Sequence, residues 1–225
     1  MAPFTPAFLE FLAELEANNN REWFHANKLR FKEVVEKPFH AFVGLMIERI
    51  SAHDPRIAIT PKEAVFRIYR DTRFSKDKTP YKTHMAAVIG INGRKGPHSA
   101  GQYIQIGASE LRLYGGAYMP DKQALYRIRE AIAAQPERFE QILNAAPFRE
   151  KYGGEVHGEK NKRLPPEFAE AAQRQPLLFN KSFYFFAILP AETILREDLP
   201  EICTEYYLAG KPLGDFLTEA ILPNP

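Results

Sequence analysis

Phe66-Arg-Ile-Tyr-Arg-Asp-Thr-Arg-Phe-Ser-Lys-Asp-Lys-Thr-Pro-Tyr-Lys-Thr-His84 is the stretch on which the reading of this 225-residue chain turns. Its first five residues alternate apolar and polar side chains, the period of a half-buried strand, with Phe66 and Ile68 inward and Arg67 and Tyr69 outward. Asp71 to Pro80 cannot continue that strand. Asp and Ser bond back to their own backbone and Pro80 has no N–H, so the charges fall on a loop. His84 to Ile91 then resumes as a second apolar strand. Six basic residues (Arg67, Arg70, Arg73, Lys76, Lys78, Lys82) against two acids (Asp71, Asp77) give the stretch a net +4 in a chain of net +2, so the remainder carries −2.

Cations held on a loop between two strands suit recognition of a phosphate, carboxylate or sulfate, because the arginine fork grips an anion in two bonds. The candidate ligand-binding residues are Arg67, Tyr69, Arg70, Arg73, Lys76, Lys78, Tyr81 and Lys82. The candidate proton carriers are Asp71, Asp77 and His84. Either aspartate can also orient an arginine from behind, and His84 can equally be a satisfied strand-end residue. Two carboxylates among six cations read as charge-paired rather than as a magnesium site, so no metal and no cofactor is expected. The opposing reading is a structural ion-pair network that pins the loop. A third is a nucleic-acid or polyanion module in which Tyr69, Phe74 and Tyr81 stack on bases between the cations.

Together with Asn18-Asn-Asn-Arg-Glu-Trp-Phe24 and Gly115-Gly-Ala-Tyr-Met-Pro120, the stretch resembles a widespread uncharacterised family of bacterial and fungal proteins. The resemblance implies a single domain of α+β character. The residue roles rest on the chemistry of the residues themselves.

Composition agrees with a folded chain: 45% hydrophobic and 12% aromatic residues suffice for one large core. The small net charge does not by itself signal a nucleic-acid binder, so only the local patch argues for anions. A lone Cys203 excludes an intrachain disulfide and a multi-cysteine metal site, and its apolar neighbours make it a buried thiol. The first residues lack a basic n-region and a continuous apolar core, and the longest apolar run, Phe183 to Leu189, is too short to cross a bilayer. A soluble cytoplasmic protein with no membrane partner is the expectation, its ligand a small anion or, alternatively, nucleic acid.

Working outward, Thr5-Pro6 starts a helix to about Asn18, and Asn20 caps a second from Arg21 to Glu36. Pro38 permits a third, Phe39 to Ile50. Strands are expected at Val65–Arg70, His84–Ile91, Gly101–Ala108, Leu111–Gly116 and, as the fifth, Lys181–Leu189, with a turn over Asn92 to Gly101. Helices are expected at about Asp121–Ala134, Pro136–Asn144, Pro165–Ala172, Leu199–Leu208 and Pro212–Leu222, with an exposed segment from Lys151 to Arg163 that is either a solvated loop or a mobile basic arm. Gly115-Gly116 is either a tight turn or a second wall of the site. One α+β domain over 1–225 results: helices at about 5–50, a mainly antiparallel sheet of about five strands starting at 65–116, and further helices with one strand over 120–222.

Overall fold

A computed structural model describes residues 1–95 and 101–222. Helix α1 (Pro6–Ala17) starts on Pro6, whose missing N–H costs nothing in a first turn, and buries Phe8, Phe11, Leu12 and Leu15 at helical spacing. Asn20 opens α2 (Arg21–Ala26), its Oδ1 accepting the Trp23 N–H at 2.9 Å. From there the chain stays helical through α3 (Lys28–Phe31), a π turn at Lys32–Glu36, and α4 (Lys37–Ser51). Pro38 does not break this run as expected. The Lys37 N–H donates five residues back to the Lys32 carbonyl, and this wide turn absorbs the register that Pro38 would otherwise disrupt. A short helix, α5 (Pro61–Ala64), carries a Thr60/Glu63 capping box that sequence reading passes over.

Four strands follow: β1 (His84–Gly90), β2 (Gly101–Gly107), β3 (Glu110–Ala117) and β4 (Phe183–Pro190), in the order β1-β2-β3-β4 of one antiparallel sheet. The expected strand at Val65–Arg70 is not among them, so the sheet has four strands and not about five. Val65 pairs with Ala87 in a single bridge, and the Phe66 N–H reaches the Ala86 carbonyl at 2.9 Å. The chain then turns onto itself: Tyr69 bridges Tyr81, flanked by Arg70 N–H to the Pro80 carbonyl and Lys82 N–H to the Ile68 carbonyl. Pro80 has no N–H with which to lengthen that ladder. The expected turn after β1 includes residues 96–100, which lie outside the described residues.

Between β3 and β4 run α6 (Lys122–Ala134), capped by Asp121, then α7 (Pro136–Asn144), α8 (Ala146–Tyr152) and α9 (Ala171–Arg174). Two expectations change here. The segment read as exposed from Lys151 begins inside α8. Beyond it, His157 bridges Tyr184 and Lys160 bridges Asn180, so backbone bonds tie the stretch to the start of β4. The C-terminus is one helix, α10 (Leu199–Ile221), with Pro212 inside it instead of between two.

The chain divides into two compact units, Met1–Lys95 with Tyr103–Leu113 and Ile188–Thr204, and Gly96–Gln102 with Tyr114–Ala187 and Glu205–Pro225. In the first, α4 packs on β1 and α5, and the core is built from Phe39, Phe42, Met46 and Ile50 with Met85, Ala87, Ile89, Ile104, Ile106, Leu111 and Leu113. In the second, Ile128, Ile132, Phe139, Phe148, Leu178, Phe183, Phe185, Leu213, Phe216 and Leu217 form the core. Cys203 is fully buried, and desolvation pushes its thiol up to about 12, which leaves it protonated and inert. Among the described residues no helix is long and apolar enough to cross a membrane.

Candidate functional site

The basic stretch separates into two groups. Residues 70–79 form a loop whose charges satisfy one another. The Arg70 guanidinium donates to Asp77 at 2.5 Å, to Thr79 Oγ1 and, at 3.5 Å, to Ser75 Oγ. Asp77 also accepts the Thr79 N–H, the largest of the bonds that hold its carboxyl down at about 2. Arg73 grips Asp71 through Nε at 3.0 Å and Nη2 at 2.7 Å, which keeps that carboxyl below its usual range. Lys78 Nζ donates to the Thr72 carbonyl at 2.9 Å. Lys76 is exposed and forms no ion pair among the described residues. At the tip, Phe74 is 94% exposed with the Arg73 guanidinium 5.7 Å from its ring centroid.

The root of this loop is fixed by a part of the chain that sequence reading does not connect to it. The Asn19 carboxamide donates to the Tyr81 carbonyl at 2.9 Å and accepts the Tyr81 N–H at 3.1 Å. The Tyr81 ring stacks on Phe24 with centroids 4.0 Å apart, and Tyr69 meets Phe24 edge-on at 6.2 Å. Tyr81 is therefore buried while Tyr69 is 46% exposed. The asparagine triplet thus serves three helix and loop ends at once, since Asn18 caps α1 and Asn20 caps α2.

The second group lies where the stretch meets the sheet. Lys82 is half-buried, its Nζ 5.1 Å from the Phe66 ring centroid, and Phe66 in turn meets Tyr103 at 6.2 Å. Burial first, and then the charges of Arg67 and Arg94, hold the Lys82 ammonium below the usual lysine range. His84, two residues on and also half-buried, is pushed down to about 4 by burial, Lys82 and Arg112, so it is neutral at pH 7. Arg94 is placed by a 2.5 Å bond to the Val65 carbonyl, and Arg112 by its pairing with Glu110. Lys82 and His84 make no hydrogen bond or ion pair among the described residues. Nearby, the Tyr103 hydroxyl donates to Gln105 Oε1 at 2.9 Å.

Arg94 and Arg112 are absent from the sequence-derived set. Arg94 follows β1 in what reads as a turn. Arg112 was findable, since the β3 pattern places 110 and 112 opposite the buried Leu111 and Leu113. Among the described residues no group of three His, Cys, Asp or Glu side chains converges as a metal-ligand set.

Acid should destabilise the protein in two separable windows. His84 binds its proton near 6.5 when unfolded and near 4 when folded, so the unfolded state gains protons first and stability falls as pH drops from about 6.5 to 4. Asp77, lowered from 3.8 to about 2, adds a loss that starts only below the first window. Melting temperature recorded across pH for wild type and His84→Gln should show the first decline flattened in the variant, with the second unchanged.

Fold and site together define an α+β protein that carries a cationic face on an antiparallel sheet. Residues 7–216 match the model of the family described as conserved hypothetical protein (DUF2461), and the chain belongs to that family. Comparison with curated proteins finds no match.

Proposed function

We propose that this protein binds a small phosphate-type anion at the face formed by Arg67, Lys82, Arg94 and Arg112 around His84, and that the bound molecule is the substrate of an enzyme acting on phosphorylated compounds. One observation carries the reading. Lys82 is a half-buried cation crowded by other cations and without an acidic partner among the described residues, whereas Glu110 is already engaged by Arg112. Desolvating an uncompensated charge is costly, and an anion arriving there removes both the desolvation and the like-charge penalty. Arg70 and Arg73 have their forks occupied by Asp77 and Asp71, which supports the structural reading for that pair of arginines and moves the anion to Lys82.

Thermal unfolding against inorganic phosphate, sugar phosphates, nucleotides and short single strands tests this. An anion at about a hundred times its dissociation constant adds about 2.7 kcal/mol, or roughly 5–11 °C for a chain of this size. Lys82→Ala should melt near wild type and lose the shift. Arg70→Ala should melt a few degrees lower and keep it. A full shift in Lys82→Ala overturns the assignment.

The bare Phe74 beside Arg73 favours a second reading, a polyanion module in which that ring stacks on a base. Its signature is affinity for single strands that drops steeply with added salt and is lost in Phe74→Ala.

A further inference from the structure

The geometry points to Lys82 as a nucleophilic amine that condenses with the carbonyl carbon of a small anionic carbonyl compound, with Arg67 and Arg94 holding the anionic group and His84 carrying the proton. This rests on the anion-binding reading of the same face and names the chemical class of its ligand. The cations of the stretch differ sharply in how they are held. Arg70, Arg73 and Lys78 each donate to a protein oxygen, as do Arg94 and Arg112. Lys82 and His84 donate to none among the described residues, although both are half-buried. An ungripped amine thus lies beside an ungripped imidazole, with guanidinium groups close enough to depress both and the Phe66 ring shielding one side from water. Cationic neighbours and desolvation are the two means by which proteins keep a lysine amine unprotonated and nucleophilic at neutral pH.

The step balances without any further reagent. The nitrogen lone pair of Lys82 adds to the carbonyl carbon, forming the C–N bond, and a proton passes from nitrogen through the neutral His84 imidazole to the former carbonyl oxygen. The C–O bond then breaks, one water leaves and an imine remains. A carboxylate or phosphate on the ligand occupies the arginines and orients the carbonyl toward the amine.

The test is reductive trapping. The intact protein is incubated at neutral pH with pyruvate and cyanoborohydride, and peptide mass spectrometry follows the appearance of a carboxyethyl group on individual lysines. Lys76, exposed on the same stretch, is the internal reference. The expected result is Lys82 labelled at least about tenfold faster than Lys76, one pKa unit being a tenfold change in the free amine, with labelling slowed by inorganic phosphate and by His84→Gln. Equal rates at Lys82 and Lys76 overturn the proposal. If phosphate still stabilises the wild type in that case, the face is an anion clamp without amine chemistry. If it does not, the anion reading falls as well. A melting curve recorded for His84→Gln separates slowed chemistry from a misfolded variant.

Discussion

Gly116→Ala should leave little folded protein. Gly116 sits at φ +91°, a backbone conformation that side chains disfavour, and a Cβ built there lies 2.2 Å from the Phe183 carbonyl oxygen. That oxygen belongs to the backbone of β4 and cannot swing aside as a side chain would. The substitution therefore combines conformational strain with a forced separation of β3 from β4, together about 4 kcal/mol or more, a large fraction of the stability of an ordinary domain. The melting temperature should fall by about 10 °C or more. Gly107→Ala is the control: its Cβ would meet the nearest atom, the Glu110 carbonyl oxygen, at an ordinary 3.7 Å. A Gly116→Ala protein that melts within about 2 °C of wild type would show that the strands can part at this point.

Arg129→Ala should be nearly as damaging. Arg129 is 5% exposed on α6, with Nε donating to the Leu178 carbonyl at 2.9 Å and Nη2 to the Asn180 carbonyl at 3.1 Å. These carbonyls close the 3-10 turn Pro176–Phe179 that feeds β4, so the guanidinium acts as a cap reaching across from another element. Truncation strands two buried acceptors and opens a cavity, at a cost of roughly 3–5 kcal/mol. Arg129→Met refills the volume without the donors and should recover only part of this, whereas Arg127→Ala, whose side chain reaches the Ile221 carbonyl from a more exposed position, should cost under about 1 kcal/mol. Urea midpoints at constant m-value rank the three. If Arg129→Met matches wild type, the carbonyls find other donors and the cap is dispensable.

Much of this architecture is legible in the chain because its signals are local. Pro6 followed by Phe8, Phe11, Leu12 and Leu15 specifies α1 within four turns, and the alternation of Gln102 to Ile106 and of Leu111 to Tyr114 specifies β2 and β3. What is not legible is decided at a distance. Pro38 and Pro212 read as breaks, yet packing on the α4 and α10 faces retains the helix through each of them. Val65–Arg70 has the period of a sheet strand and is diverted after a single bridge, because its neighbour along the chain competes for the same backbone groups. The basic stretch locates the cationic region, but charge counts cannot say which arginine finds which aspartate. The pairing Arg70–Asp77 and Arg73–Asp71 singles out Lys82 only in three dimensions. Arg94 and Arg112 come to Lys82 and His84 from the turn after β1 and from β3, separations over which sequence spacing carries no information.

The Asn19 clamp has a consequence for how this molecule behaves in a crowd. In the Tyr69–Tyr81 bridge the flanking bonds run through Arg70 and Lys82, so the N–H and carbonyl of Tyr81 point away from its partner. Groups in that orientation are what a free sheet border offers to a stranger's backbone. A carboxamide carries the same donor and acceptor as a peptide unit, and Asn19 presents both to Tyr81, imitating one residue of a neighbouring strand. The border is sealed by a side chain that has no further backbone to extend, so the hairpin at the root of the basic loop gives another polypeptide no template there on which to grow.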